Sequence, residues 1–394
     1  MTSITQFSLP AAGQDNADLV GLLAAFQMQS AANRLQKEFL RLTGKNDEAT
    51  GSVLAALEGV DPKSHFFRPE VGCLLKIFSL RDITLEMLMD IRAQLVITAS
   101  LIGVLSDIDI GFSTASQLLL QGKLLAPGRY HLSVTASRIT VSGDGLDTPL
   151  VIDKLAESGV FTGTLGESDA VIAVADKVIS LGDLNPDFWA FWADSVNEPS
   201  HSPLAAGQLE AALSLLGQHI PHYQRWVTNV LHKVIPVRRP AQDTLASASI
   251  RYRFGAVEIA CPASPFETLE MLIHECSHQY FNLALCLEPL VSDNAPAVYS
   301  PLKSKERPLF LLLTGYHAFG NVMLAYSSLK AAGFEASLAD RDKKAIYYMR
   351  ELSSGLEANR AYLTELGLSL YLPLREALLR IPEAVAMELV PDHG

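Results

Sequence analysis

Residues 264–285 read SPFETLEMLIHECSHQYFNLAL, a stretch that carries both a helix start and a metal-binding spacing. Ser264 has the hydroxyl of an N-cap, Pro265 suits the first helical position, where no amide hydrogen is needed, and Glu267 completes a capping box. These signals predict a helix of about 18 residues beginning at Pro265. Met271, Leu272, Ile273, Phe281 and Leu283 give it apolar sides to bury. Residues four apart on an α-helix lie about 40° apart around the axis. His274 and His278 therefore project from one face, one turn apart, and both imidazoles can reach a single ion. Glu275 is turned about 100° from His274 and about 60° from His278, which puts its carboxyl at the rim of that face. From there it can orient a water molecule or a neighbouring group.

Outward from this helix the texture stays mostly helical. Upstream, SASIRYRFGAVEIACP (247–262) is rich in aromatic and β-branched residues and predicts one or two strands. Before it, AAGQLEAALSLLGQHI and HYQRWVTNVLHKVIPV read as two amphipathic helical runs. Residues 17–122 carry helical periodicity, through Leu19, Leu22, Leu23, Phe26 and Met28 and then Leu35, Phe39, Leu40 and Leu42, and predict a helical bundle. After Pro127, RYHLSVTASRITVSGDGLDTPLVI alternates apolar and polar residues, broken by Gly143, Gly145 and Pro149, and predicts two or three short strands. VFTGTL (160–165) and AVIAVADKVISL (170–181) would extend that small sheet, and the turn formers of 183–203 mark a boundary. The expected class is mainly α with a small β component (α+β). Its expected parts are a helical region over 1–125, a small β-rich insert or subdomain over 126–200, and a metal-binding catalytic domain over 201–394 with a zincin-like His-Glu-x-x-His helix.

The chain has 394 residues, of which 49% are apolar, enough for a sizeable core. Its net charge of −12 is spread along the sequence, which argues against nucleic acid as a partner. The start MTSITQFSLPAAGQDNADLV has no basic segment followed by an apolar one, so no secretion signal is expected. The apolar stretches 95–105 and 309–326 are too short for a bilayer or carry His and Asn, so no membrane span is expected either. Cys73, Cys261, Cys276 and Cys286 show no C-x-x-C spacing and suit a reducing cytoplasm.

A catalytic metal site generally takes three protein ligands and an open position. The apolar run LFLLLTGYHAFGNVMLAY (309–326) holds His317, an ionisable group that needs a partner there, and it is the leading third ligand. Asp293 and Glu288 are the alternatives, while Glu267 and Glu270 read as helix cap and surface. In a zinc peptidase Glu275 is the general base. The common zincin continuations, a Gly-x-x-His after the second histidine or a Glu-x-x-x-Asp on the next helix, do not follow here.

The stretch from this motif through YSPLKSKERPLFLLLTGYHAF (299–319) resembles the HExxH-motif peptide-modification proteins of gene clusters for ribosomally made, post-translationally modified peptides. The resemblance rests on Tyr299, Ser300 and Pro301, the charged run Lys303 to Glu306, Arg307-Pro308, and Gly315 with Tyr316 and Phe319. The strand-like GAVEIA (255–260) resembles the family's lead-in, and the likeness covers roughly residues 205–335. It implies an iron(II) and 2-oxoglutarate-dependent hydroxylase that oxidises a side-chain β-carbon, of Asp or a similar residue, in a precursor peptide. The leader and core of that peptide would be the partners. Arg307 would then grip the distal carboxylate of 2-oxoglutarate, with Arg251, Arg253 and Tyr299 as further substrate or cosubstrate contacts. Where the family often has a ligand-capable residue before the glycine, this chain has Thr314, with His317 three residues later on nearly the same face. Under this reading Glu275 becomes a ligand or an outer-sphere group. Two alternatives stand beside it, a zinc metallopeptidase with Glu275 as base, and a non-catalytic protein that binds a leader peptide.

Overall fold

The structure is a computed structural model that describes residues 4–60, 66–120, 123–153, 170–174, 177–182, 197–241 and 246–389. The first helices are α1 (Ala17–Thr43), α2 (Glu48–Glu58), α3 (Pro69–Leu74) and α4 (Leu85–Leu101). Asp47 caps α2 by accepting from the Thr50 amide, and Thr84 caps α4 through the Met87 amide. The expected bundle forms, but the buried stripe of α1 runs through Val20, Ala24, Met28, Ala31 and Leu35. Leu22, Phe26, Leu40 and Leu42 lie outside it, exposed, so apolar spacing alone located the helix and not its inner face.

Strands β1 (Ile108–Thr114), β2 (Leu118–Leu120), β3 (Lys123–Leu125), β4 (Gly128–Val134), β5 (Arg138–Gly143) and β6 (Leu150–Asp153) follow. Four of them make an antiparallel sheet in the order β1-β4-β5-β6, and β2 pairs with β3. Strand structure thus begins inside the span expected to be helical. β1 pairs along its whole length with β4, across the expected part boundary near 125.

Next come β7 (Ala170–Val174), β8 (Lys177–Leu181), α5 (Ala205–His219), α6 (Pro221–Val230), β9 (Lys233–Arg238), β10 (Ser247–Ser249), β11 (Ala256–Cys261) and α7 (Pro265–Leu285). The five-stranded sheet has the order β10-β11-β9-β8-β7, with β9 parallel to both neighbours and antiparallel strands at each edge. Residues 170–181 therefore join the sheet of the motif region rather than the small sheet, and 160–165 lie outside the described residues. The second helical run also stops early. KVIPV, apolar on both faces, is the buried strand β9.

The chain closes with the hairpin β12 (Ala297–Ser300) and β13 (Lys305–Pro308), then α8 (Leu309–Ala331), α9 (Glu335–Glu357) and α10 (Glu365–Leu378). Helix α8 is long and apolar enough to cross a bilayer, yet 72% of its most apolar window is buried inside the fold. It runs antiparallel to α7, since Phe319 meets His274 and Tyr326 meets Glu270. Helix α9 turns back along α8, with Phe319 against Tyr348 and Lys330 against Asp342, and so lies parallel to α7.

The beginning of the chain belongs to this same core. Phe7 is fully buried with its ring 5.0 Å from that of Tyr280. The Ser8 carbonyl accepts from Asn321 Nδ2 at 2.9 Å, and the Ser8 hydroxyl donates to the Leu370 carbonyl. The helical first region is thus tied to the motif region through its own leading residues.

Candidate metal centre

Helix α7 starts as its sequence reads. Ser264 Oγ accepts from the Glu267 amide at 3.3 Å, and Glu267 Oε2 accepts from the Ser264 amide at 2.7 Å. One helical turn separates His274 from His278, and their Nε2 atoms face each other 3.1 Å apart. Two nitrogens bound to one ion at about 2.0–2.1 Å would be about 3.0 Å apart at a right angle and about 3.4 Å apart at a tetrahedral one. The observed separation falls between these. Burial pushes His274 down to about 4 and, with His274 and His317 adding to the effect, holds His278 far below its usual value. Both rings are then neutral, the form that binds metal. The donor set fits an ion at two positions, with His278 Nδ1 buried and without a hydrogen-bond partner among the described residues.

Glu275 is 3% exposed, and its Oε1 accepts from Ser247 Oγ, on the edge strand β10, at 2.6 Å. Burial drives its carboxyl up to about 8; the Ser247 hydroxyl opposes this and the Glu258 carboxylate adds to it. Between 4.5 and about 8 the unfolded chain carries this group ionised while the fold keeps the proton, so the native state binds more protons and stability falls as pH rises. Glu275→Gln removes that dependence. The metal-free variant should gain stability over the wild type as pH goes from about 5 to about 8.5, read as the shift in urea midpoint. Parallel pH profiles for the two proteins would rule out the protonated carboxyl.

His274 opens on a cavity of about 650 Å³ between α7, α9 and the edge of the sheet. Glu267, Glu270, Met271 and His274 line it along one face of α7, and Arg341, Lys344, Ala345 and Tyr348 line it along α9. Ser247 and Phe319 complete the end nearest the histidines. At the other end Arg239 grips Glu267 with two hydrogen bonds, at 2.9 and 3.2 Å. Arg341 reaches Glu267 at 2.6 Å and also pairs with Glu270. Burial alone would raise the Glu267 carboxyl, but the Ser264 amide, Arg239 and Arg341 outweigh it and hold the group below its usual range. Glu267 is the cap that the sequence predicts and also a cavity wall. Glu270, expected on the surface, faces the cavity and accepts from the Tyr326 hydroxyl at 2.5 Å.

Several expected residues lie elsewhere. His317 is buried in α8 and its Nε2 lies 2.8 Å from the Phe7 carbonyl, with the Ser8 and Ser277 carbonyls also facing the ring. Its Nε2 is thus held by a backbone carbonyl, while its Nδ1 is buried without a hydrogen-bond partner among the described residues. Among the described residues no three His, Cys, Asp or Glu side chains gather around one point, so the expected third ligand is not brought to the pair. Glu288 and Asp293 are exposed on the connecting loop. Arg307 sits on β13 opposite Val298, off the cavity wall, and Tyr299 is 53% exposed on the same hairpin. Arg251 and Arg253 belong to the turn between β10 and β11 rather than to a strand. Arg251 lies over the Tyr252 ring, and Arg253 is buried against Glu258 at 3.2 Å.

The cavity residues of α9 were missed. Their signal was present as the spacing of Arg341, Lys344, Ala345 and Tyr348 at i, i+3, i+4 and i+7, one face of a helix. Compared with the models of known protein families and with the curated proteins, the chain matches none. The likeness drawn from residues 205–335 rests on the motifs quoted for it.

Proposed function

We propose that this chain is a metal-dependent oxygenase of the cytoplasm, an iron(II) and 2-oxoglutarate-dependent hydroxylase of a side chain in a ribosomally made peptide. The observation that carries the reading is the pair of buried imidazoles, Nε2 to Nε2 at 3.1 Å, of which His274 lines a cavity of about 650 Å³. That volume is within the usual range for small-molecule sites and leaves room for a cosubstrate beside a substrate side chain. His274 and His278 would hold the metal, which when bound supplies the redox chemistry that couples oxygen to carbon hydroxylation. The balance is one dioxygen and one 2-oxoglutarate consumed, one succinate and one carbon dioxide released, and one oxygen inserted into a C–H bond. Glu275 is spent on Ser247 and does not line the cavity, which suits a residue that fixes α7 against the edge strand. One observation favours a zinc peptidase as the second reading. Ser247 does line the cavity, so Glu275 stands a single hydrogen bond from it.

The two readings part in one experiment. Protein purified anaerobically is loaded with iron(II), then given 2-oxoglutarate, oxygen and the precursor peptide encoded beside its gene. Succinate release with a peptide heavier by one oxygen is expected. A cleaved peptide from zinc-loaded protein, with no succinate formed, would overturn the oxygenase.

A further inference from the structure

The cations of the cavity are not equivalent. Arg239 and Arg341 spend their guanidinium groups on Glu267 and Glu270. Asp340, the remaining carboxylate on the wall, has a side chain 98% exposed and lies 3.4 Å from Lys343. Lys344 has no carboxylate partner among the described residues; its ammonium lies 6.0 Å from the Tyr348 ring centre. The half-buried Tyr348 hydroxyl has no hydrogen-bond partner among them either. In a chain of net charge −12, the exposed Lys344 ammonium therefore stands at the cavity wall without a carboxylate partner among the described residues, beside a phenol donor.

Its position along the cavity is fixed by the helices. Tyr348 is level with His274, because the Phe319 ring lies 4.8 Å from one and 5.1 Å from the other. Arg341 is level with Glu267 and Glu270, one to two turns before His274. Lys344 falls between them, about 6 Å along the axis from the level of the histidines at 1.5 Å per residue. A ligand that reacts at the histidines and carries an anionic group a few bonds away would meet Lys344 and Tyr348 with that group.

We propose that Lys344 and Tyr348 are the carboxylate-binding residues of the cavity, an ammonium and a hydroxyl for the two oxygens of one carboxylate. The carboxylate comes from the cosubstrate or from an acidic side chain of the peptide. Only the first source rests on the oxygenase reading.

The test is binding, measured by calorimetry on iron(II)-loaded protein without oxygen, with metal content determined in parallel. The probes are 2-oxoglutarate and the precursor peptide, the latter also with its acidic core residues amidated. Lys344→Met should weaken the responsive probe by ~10- to 100-fold, Tyr348→Phe by less, and Lys344→Arg should restore most of the loss, all at unchanged metal content. Loss confined to 2-oxoglutarate assigns the site to the cosubstrate. Loss confined to the acidic peptide, with no 2-oxoglutarate bound by any variant, keeps the carboxylate site and removes the oxygenase reading. If 2-oxoglutarate and peptide bind Lys344→Met as tightly as wild type, the proposal fails while the oxygenase reading stands, and if wild type binds neither, the proposal fails as well.

Discussion

His274→Ala loses the bound metal. With two imidazoles as the only side-chain donors brought together, removing one leaves a single nitrogen, and no third His, Cys, Asp or Glu among the described residues stands ready to replace it. Affinity should fall by more than the ~10- to 100-fold typical of outer-shell partners, and His278→Ala should do the same. Metal analysis after dialysis checks both. His317→Ala is the contrast. Its Nε2 is committed to the Phe7 carbonyl, so that variant should keep its metal and lose stability instead. Metal retained by His274→Ala would move the centre elsewhere, and metal lost from His317→Ala would bring that histidine back as a ligand.

Phe7→Ala should be among the most destabilising single changes in the protein, at about 3–5 kcal/mol. The ring is fully buried, it packs on Tyr280, and Tyr280 stacks in turn on Trp226 with ring centres 4.3 Å apart. The void would open against the Tyr280 ring, next to the carbonyl that fixes His317, with little means of collapsing. Urea denaturation of the metal-free protein reads the change as a lower midpoint at unchanged slope. A loss under about 1 kcal/mol would mean that the leading residues are not part of the cooperative core.

What the sequence made legible was local. The capping box of α7 needs only Ser264, Pro265 and Glu267, and the imidazole pair needs only the helical pitch, so both were readable without knowing any neighbour. The long apolar run of α8 announced a buried helix for the same reason. The missed features depend on partners far away in the chain. Nothing in the alternation of 170–181 says that β8 pairs with β9, some fifty residues on, rather than with the nearer strands. His317 on an apolar helix demands a partner, but a carbonyl meets that demand as well as a metal does, and the carbonyl belongs to residue 7. The resemblance points to Arg307, whereas two of the cavity's cations, Arg341 and Lys344, stand on α9, whose polar face reads as solvated until α7 is set beside it.

The hydrogen bond from Ser8 to Leu370 joins residues 362 apart in sequence. The segment around Phe7 is synthesised well before the helices that receive it, α8 and α10. No partial chain ending before α10 can complete this core. The core beside His274 and His278 therefore closes through a contact of very high sequence separation, the kind whose loop-closure entropy must be met before the contact rewards it.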